Sequence, residues 1–467
     1  MTALPLGIAP RQGILACAAG LMGAAAFWPL SLWPLMLVSL ALFLRLLRDQ
    51  DAQTARNIGL VYGLTFAAGT MHWMFLIFGV LAIPLLAIMA AYFGLVANLY
   101  ALTRGLNVMT RVCLASLFAV AVEWLRGDAW YLRFPWYTPA HALASVPPMV
   151  AGARWLGTYG LSMVIWLIAA AGAFRPLAYA GFLLLPACWL LLSEDGIPDC
   201  RVVLLQSEVG NIDRVIAQIP GEKADLCVLP ELAYSCSPQS ALSARNGPAD
   251  LARKTYCPVV FGAVEGTYGE MPFDNVAAVI GPDAQLLGTF PKQRPVPLMV
   301  DGTPGERQPV FAVVGGVLGI AICYDFDAPA VASSLVRSGA TVLVAPTLDA
   351  MSWGRVQHEH HALLFRLRAV ENDRWLLRAC SSGRTEVLSP CGVSSNEGIE
   401  VGQVGYVVLP FAHRNTWTPA YWLSFLGPGA GLGTLAFLLW LGVRSRRGHR
   451  RKEILSSFPG PVPVSHP

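Results

Sequence analysis

Long runs without a charged residue dominate the first 194 positions. Residues 12–44 carry none. At about 1.5 Å per residue that run is long enough for two membrane spans. Trp28, Pro29, Trp33 and Pro34 read as the turn between them, at an interface. Residues 57–103 are also uncharged and predict two more spans, with a break near Gly79 to Pro84. A fifth span is read from Val112 to Leu125, a sixth and seventh over 155–174 and 176–193, and an eighth over 415–443.

Between 197 and 414 the texture changes. Short β-branched runs alternate with polar, helix-like stretches. Residues 201–206 (RVVLLQ), 226–229 (LCVL), 259–263 (VVFGA), 276–280 (VAAVI), 318–323 (LGIAIC) and 341–345 (TVLVA) read as buried strands. Helical patterns fit 212–219, 328–338 and 358–372. The pattern predicts an α/β or α-β-β-α sandwich, long enough for one substantial core. The expected organisation is a membrane domain over 1–196, a catalytic domain over 197–414 and a transmembrane helix over 415–443. A basic and then disordered tail follows over 444–467.

Charge sharpens this division. Only 13% of the 467 residues are charged and 55% are hydrophobic, against roughly 25% charged in a typical soluble protein. That excludes a wholly soluble enzyme, a disordered chain and a nucleic-acid binder. Residues 1–194 hold 15 of the 62 charges and no Lys. Arg11, Arg45, Arg48, Arg56, Arg104, Arg111, Arg175 and the basic stretch Arg444–Lys452 all fall on one side of the membrane if there are eight spans. The positive-inside rule makes that side the cytoplasm. Both termini are then cytoplasmic and 197–414 faces outward. The ten Cys show no CxxC pair and no metal-ligand spacing, so no metal or cofactor is read.

Three strand ends in the outward domain finish in a reactive side chain: Glu231 in CVLPEL, Lys292 in GTFPKQRPVP and Cys323 in GIAICYDFD. Taken singly, each has a plain reading: a solvated loop carboxylate, a surface ammonium, a small buried thiol. Taken together, they form a nucleophilic set at what is expected to be one sheet edge. The Glu takes the thiol proton, the Lys stabilises an oxyanion, and the Cys attacks an acyl carbon. His72 reads as a packing or interfacial group. Glu123 and Arg126 sit near a span end, where an ionisable residue reads either as functional or as snorkelling to the interface. Trp136 and Tyr137, after Pro135, read as a lipid entrance or aromatic belt. Trp353 is a further candidate for substrate contact. The group His358, Glu359, His360 and His361 offers no evident third metal ligand.

The contexts LPE, PK and CYD resemble the nitrilase, or carbon–nitrogen hydrolase, superfamily. GTMHWMFLIF (69–78), VEWLRG (122–127), RFPW (133–136) and WLGTYGLS (155–162) narrow the likeness. They resemble the N-terminal region of the apolipoprotein N-acyltransferase family. RLRAVENDRWLLRACSSG (366–383) resembles that family's helix and strand after the nucleophile. The resemblance covers residues from about 10 to 440. It implies a multi-pass α-helical membrane domain of about eight spans carrying a periplasmic nitrilase-like α-β-β-α sandwich, as a monomer in the bacterial inner membrane.

It also implies a reaction. An acyl chain would pass from a phospholipid to Cys323 as a thioester, then to the N-terminal amine of a diacylglyceryl-cysteine lipoprotein. Glu231 would be general base and then acid. Lys292 would stabilise the tetrahedral intermediate, and the Tyr324 backbone N–H, with Asp325 as support, would complete the oxyanion hole. The chain departs from the family pattern in places. The VPFGE-like stretch reads Val296-Pro297-Leu298-Met299-Val300-Asp301, so the Glu expected to support the Lys is missing. Asp325 stands where the family has Glu. The SNDAWFG-like loop reads as residues 345–354 (APTLDAMSWG), and only 31 positions separate Lys292 from Cys323. A divergent paralogue, a membrane-tethered amidase using water as acceptor, and a non-catalytic scaffold all remain open from the sequence.

Overall fold

The structure is a computed structural model. It describes residues 7–176, 178, 181, 195–208, 210–221, 223–313, 315–395 and 399–456, of which 445–456 by backbone alone. The span expected over 176–193 falls almost entirely outside the described residues, as does the end of the tail, 457–467.

The N-terminal half is helical: α1 (Pro10–Ala24), α2 (Pro34–Leu47), α3 (Ala52–Thr70), α4 (Met74–Phe78), α5 (Ala82–Ala101), α6 (Val108–Trp124), α7 (Pro139–Leu143), α8 (Pro147–Val150) and α9 (Ala153–Phe174). Asp51 starts α3 by accepting the Gln53 and Thr54 N–H groups at 3.0 Å each, satisfying donors that a helix start leaves open. Among the described residues, four helical stretches are long and apolar enough to cross a membrane: Met74–Ala101, Val108–Ala129, Ala153–Phe174 and Leu426–Arg444. Pro34–Leu47 is a shorter apolar helix. Small residues set the closest packing, as is usual where helices cannot rely on water exclusion. A Cβ on Gly59 would lie 2.6 Å from the Phe93 carbonyl oxygen, and one on Gly63 2.7 Å from Ala90 Cα, so only glycine lets α3 lie against α5.

Two boundaries differ from expectation. The break in the second uncharged run comes at Met71–Trp73, before the short α4, as well as at Gly79. The last helix, α15 (Leu426–Ser456), begins eleven residues after position 415 and continues through the basic stretch. Uncharged sequence marks what lipid tolerates; it does not mark where a helix begins.

Among the described residues the C-terminal half has two six-stranded sheets. One runs in the order β12-β1-β2-β3-β4-β5 and the other β11-β10-β9-β8-β7-β6. Their strands are β1 (Cys200–Gln206), β2 (Leu226–Val228), β3 (Val259–Glu265), β4 (Asp274–Ile280), β5 (Leu286–Pro291) and β12 (Gly405–Phe411); then β6 (Val310–Val313), β7 (Gly316–Ile320), β8 (Val342–Thr347), β9 (Leu376–Cys380), β10 (Glu386–Leu388) and β11 (Ser394–Ser395). All six strands expected from sequence are present.

Period-2 alternation builds the layers. Val202 and Leu204 of β1 face the second sheet, in one core with Leu318, Ile320 and Val344. Val203 and Leu205 face α10 (Ile212–Gln218) and α12 (Pro248–Thr255), in a core with Ile212, Val215 and Leu251. Between these two helices lies the short α11 (Pro238–Leu242). On the far face, α13 (Pro329–Arg337) and α14 (Arg355–Asn372) cover the second sheet. Phe365 and Ala369 of α14 pack on that sheet, whereas Leu364, Leu367 and Val370 pack into the helical core of the N-terminal half. One helix is thus shared by both cores and couples the two regions mechanically.

Candidate active site

Glu231 follows β2, Lys292 follows β5 and Cys323 follows β7. The expectation of a single sheet edge is corrected here. Glu231 and Lys292 come from one sheet and Cys323 from the other, so the three converge across the sandwich. All three are buried.

The Glu231 segment needs room behind it. A Cβ on Gly262 in β3 would lie 2.3 Å from the Leu232 nitrogen and 2.6 Å from the Glu231 carbonyl carbon. Glycine at that point lets the turn press onto the sheet. Glu231 Oε1 accepts hydrogen bonds from Lys292 Nζ and Asn275 Nδ2, each at 2.7 Å, and Oε2 accepts the Leu348 N–H at 2.8 Å. Lys292 Nζ also pairs with Asp301 Oδ2 at 2.6 Å. Asp301 is held by the Val296 N–H at 2.7 Å and by Asn275 Nδ2 at 3.1 Å. The carboxylate found missing from the family's stretch is therefore supplied from one position further on. With two acceptors fixed, the ammonium keeps one of its three N–H donors for another partner.

Burial raises the Glu231 pKa, partly opposed by Lys292 and reinforced by the Asp301 charge. A raised carboxylate is a better proton acceptor. Burial works against the Lys292 ammonium, but Asp301 and Glu231 more than offset it and keep its pKa well above the ordinary value. Burial and the Glu231 charge push the Cys323 thiol well up, so the resting sulfur carries its proton and needs a base.

Cys323 has φ +50° and opens a tight turn, Cys323–Asp327. A non-glycine residue there is strained, and the turn is tied down accordingly. Asp325 accepts the Ile322 N–H at 2.9 Å and the Arg294 N–H at 2.6 Å, with its pKa raised to about 6 by burial. It thereby joins the Cys323–Asp327 turn to the loop after Lys292. The Cys323 thiol donates to the Leu348 carbonyl at 3.6 Å. Leu348 thus touches both the thiol and, through its N–H, Glu231.

A second buried array lies beside the thiol. His361 Nδ1 and Nε2 donate to Asp349 at 2.7 Å and Asp327 at 3.1 Å. Burial opposes its charge, yet the two carboxylates raise its pKa to about 9. Arg378 pairs with Asp349 at 2.6 Å. Asp327 also accepts the Trp136 indole N–H at 2.5 Å, and that indole stacks on His361 with centroids 5.3 Å apart. Sequence reading missed Asn275, Asp327, Asp349 and Arg378 as site residues, and treated His361 only as a candidate metal ligand. Asp349, inside APTLDAMSWG, was the one visible signal.

The membrane motifs meet this array. A single π turn, Leu125–Ala129, ends α6 and turns Arg126 inward, where it donates to the carbonyls of Phe134 at 2.8 Å and Trp136 at 2.6 Å. Asp128 pairs with Arg294 at 3.0 Å. Glu123 accepts the Trp166 indole N–H at 2.8 Å. Glu123 and Arg126 are both buried, which corrects the snorkelling expectation: each has an internal partner. WLRG therefore holds FPW, and FPW reaches the Cys323–Asp327 turn.

A cavity of about 100 Å³ starts at Cys323 and is walled by the helical half, including Ile77, Leu85, Ile88 and Met89, with Val296–Met299 on another side. Trp136, Tyr324 and Trp353 line it. Tyr137 lies behind the wall. Its hydroxyl donates to the Thr70 carbonyl at 2.9 Å and receives the Trp73 indole N–H at 2.7 Å. The Tyr324 hydroxyl donates to the Arg133 carbonyl at 2.9 Å. His72 is exposed. His358 and His360 bond to backbone carbonyls of Ala350 and Trp28 at 2.9 Å each. A buried thiol, a basic carboxylate and a fixed ammonium at the end of an apolar cavity are equipped for acyl transfer on a long-chain substrate.

Residues 19–171 match the model of the apolipoprotein N-acyltransferase N-terminal domain, and residues 201–397 match the carbon–nitrogen hydrolase model. An apolipoprotein N-acyltransferase of Pseudomonas syringae pv. tomato is 27% identical, over 86% of this chain and 93% of that protein. One of Ralstonia nicotianae is 26% identical, over 96% of each. The crystal structure of an amidase from Nesterenkonia sp. aligns with 48% of this chain and 95% of that chain, at 21% identity and a TM-score of 0.38.

Proposed function

The chain belongs to the apolipoprotein N-acyltransferase family, and from that premise we propose that it moves an acyl chain from a phospholipid, through a thioester on Cys323, to the N-terminal amine of a diacylglyceryl-cysteine lipoprotein. The observation that carries this reading is the apolar cavity joining Cys323 to the membrane helices. An acyl chain lying there need not be drawn into water.

In the first half-reaction Glu231 takes the Cys323 proton and the sulfur attacks the ester carbonyl carbon. The developing oxyanion is stabilised by the Lys292 ammonium and the Tyr324 N–H. The intermediate collapses with loss of the lyso-phospholipid alkoxide, which takes the proton from Glu231. In the second, the lipoprotein amine attacks the thioester carbon and gives a proton to Glu231. The C–S bond breaks, the amide leaves, and the proton returns to sulfur. Asn275 and Asp301 keep Glu231 and Lys292 in register. Trp136 and Trp353 contact the acyl chain.

The distribution of Arg supports an inner-membrane protein with 197–414 in the periplasm and both termini in the cytoplasm. The protein acts as a monomer. The membrane domain is 1–196, the catalytic domain 197–414, and the last span lies within 415–443.

The test uses purified protein and phospholipid with a labelled acyl chain. A thioester-linked acyl enzyme is expected in the wild type and in neither Cys323→Ala nor Glu231→Ala. Absence of both the adduct and lyso-phospholipid from the wild type overturns the lipid donor. An adduct that water discharges while a diacylated lipopeptide goes unmodified overturns the acceptor and leaves a hydrolase.

A further inference from the structure

A second pair of thiols lies away from Cys323. Cys227 sits in β2 and Cys257 two residues before β3. Their sulfurs are 3.5 Å apart, and both side chains are fully buried. The Thr255 hydroxyl lies 3.2 Å from Cys257 Sγ and 3.6 Å from Cys227 Sγ, so the two thiols and the hydroxyl form one small polar cluster in an otherwise apolar core.

We propose that Cys227 and Cys257 are a cross-linking site, joined in the working protein as a disulfide that ties β2, which leads into the Glu231 segment, to the chain entering β3. The inference rests on the reading above that this domain faces the oxidising side of the membrane, where such bonds persist. The sulfurs need to approach to about 2.05 Å, a shift of ~1.5 Å. The chain enclosed between the two positions includes Glu231 and Leu232, and Leu232 is held at φ +51°. A covalent tie across 30 residues restricts the unfolded chain and keeps that strained turn seated against Gly262.

The chemistry is thiol–disulfide exchange with an external disulfide, during folding and before the sheet closes. In one order, Cys257 loses its proton and attacks first. Its thiolate forms a mixed disulfide and releases one thiol of the oxidant. Cys227, on losing its proton, then attacks the Cys257 sulfur and releases the second. Two electrons pass to the oxidant, and two protons leave with its thiols.

The experiment purifies the full chain from cells lysed in N-ethylmaleimide and maps cysteines by peptide mass. The expected result is a Cys227 peptide joined to a Cys257 peptide, with Cys323 alkylated. Thr267→Cys, in an exposed turn, reports the side of the membrane through a membrane-impermeant maleimide applied to spheroplasts. A labelled Thr267→Cys with both thiols alkylated overturns the disulfide and leaves the outward placement standing. An unlabelled one overturns the placement. Purified protein unfolded in denaturant and refolded with glutathione disulfide then decides the pair, and failure to join overturns it. Reductant is expected to lower the wild-type melting temperature by ~5–10 °C and to leave Cys227→Ala/Cys257→Ala unmoved. Equal responses of the two proteins also overturn the tie.

Discussion

The two walls of the cavity are built on opposite principles. The sandwich side lines the cavity with Cys323, Tyr324 and His361 and has buried charge behind it. Glu231, Lys292 and Asp301 lie in one array, and Asp327, His361, Asp349 and Arg378 in another. The helical side presents Ile77, Leu85, Ile88 and Met89 on helices packed through glycine. Buried charge is costly unless fully paired, and here each charge has partners that also fix its direction. Apolar walls cost nothing to bury but direct nothing. The charged wall is therefore suited to the reacting carbonyl and the apolar wall to the chain attached to it.

The largest effects should come from the charged wall. Cys323→Ala should abolish the acyl enzyme, and Glu231→Gln should slow its formation by at least ~10³-fold, measured by single-turnover mass spectrometry. Asp301→Asn removes one of two counter-charges on Lys292 and should cost about 10²-fold in the same assay. Asp301→Glu should recover part of it, and unchanged rates in Asp301→Asn would show that Glu231 alone suffices.

His361 gives a smaller effect with a definite sign. Its folded pKa of about 9 lies above the ordinary value of roughly 6.5. The ion pairs with Asp327 and Asp349 stabilise fully below pH ~6.5 and are lost as pH rises through about 9. Arg378, 3.2 Å from Nδ1, opposes the charge but is outweighed by the two carboxylates. The melting temperature should fall by a few degrees between pH 7 and 10, and His361→Gln should flatten that dependence.

The apolar wall should yield the mildest change. Ile88→Trp shortens the cavity without touching a charged group. It should reduce transfer from long-chain donors roughly 10-fold relative to short-chain ones. A uniform loss across chain lengths would contradict the division of labour between the walls.

How much of this was legible depended on whether the signal was local. Spans showed as uncharged runs, and strands such as RVVLLQ showed as β-branched runs between polar segments, because lipid and sheet cores each impose a composition on consecutive residues. Glu231, Lys292 and Cys323 were readable as strand-end chemistry. Asp301 was not, because its part depends on the Val296–Met299 loop folding back to Lys292, and nothing in VPLMVD encodes that distance. Arg126 looked like an interfacial charge until the π turn aimed it at the carbonyls of Phe134 and Trp136. Tyr137, adjacent to Trp136, points away from the cavity its neighbour lines.

The chain's own order of residues determined the two-part architecture and which side chains offer candidate nucleophilic chemistry. Each of these follows from composition or from a side chain's intrinsic chemistry. Tertiary structure alone decided that the set is assembled from two sheets, that Asp301 supports Lys292, and that His361 is a clamped cation. It also decided that α14 binds both cores together. Those facts rest on distances between residues far apart in sequence, and pKa values and hydrogen bonds are properties of such distances.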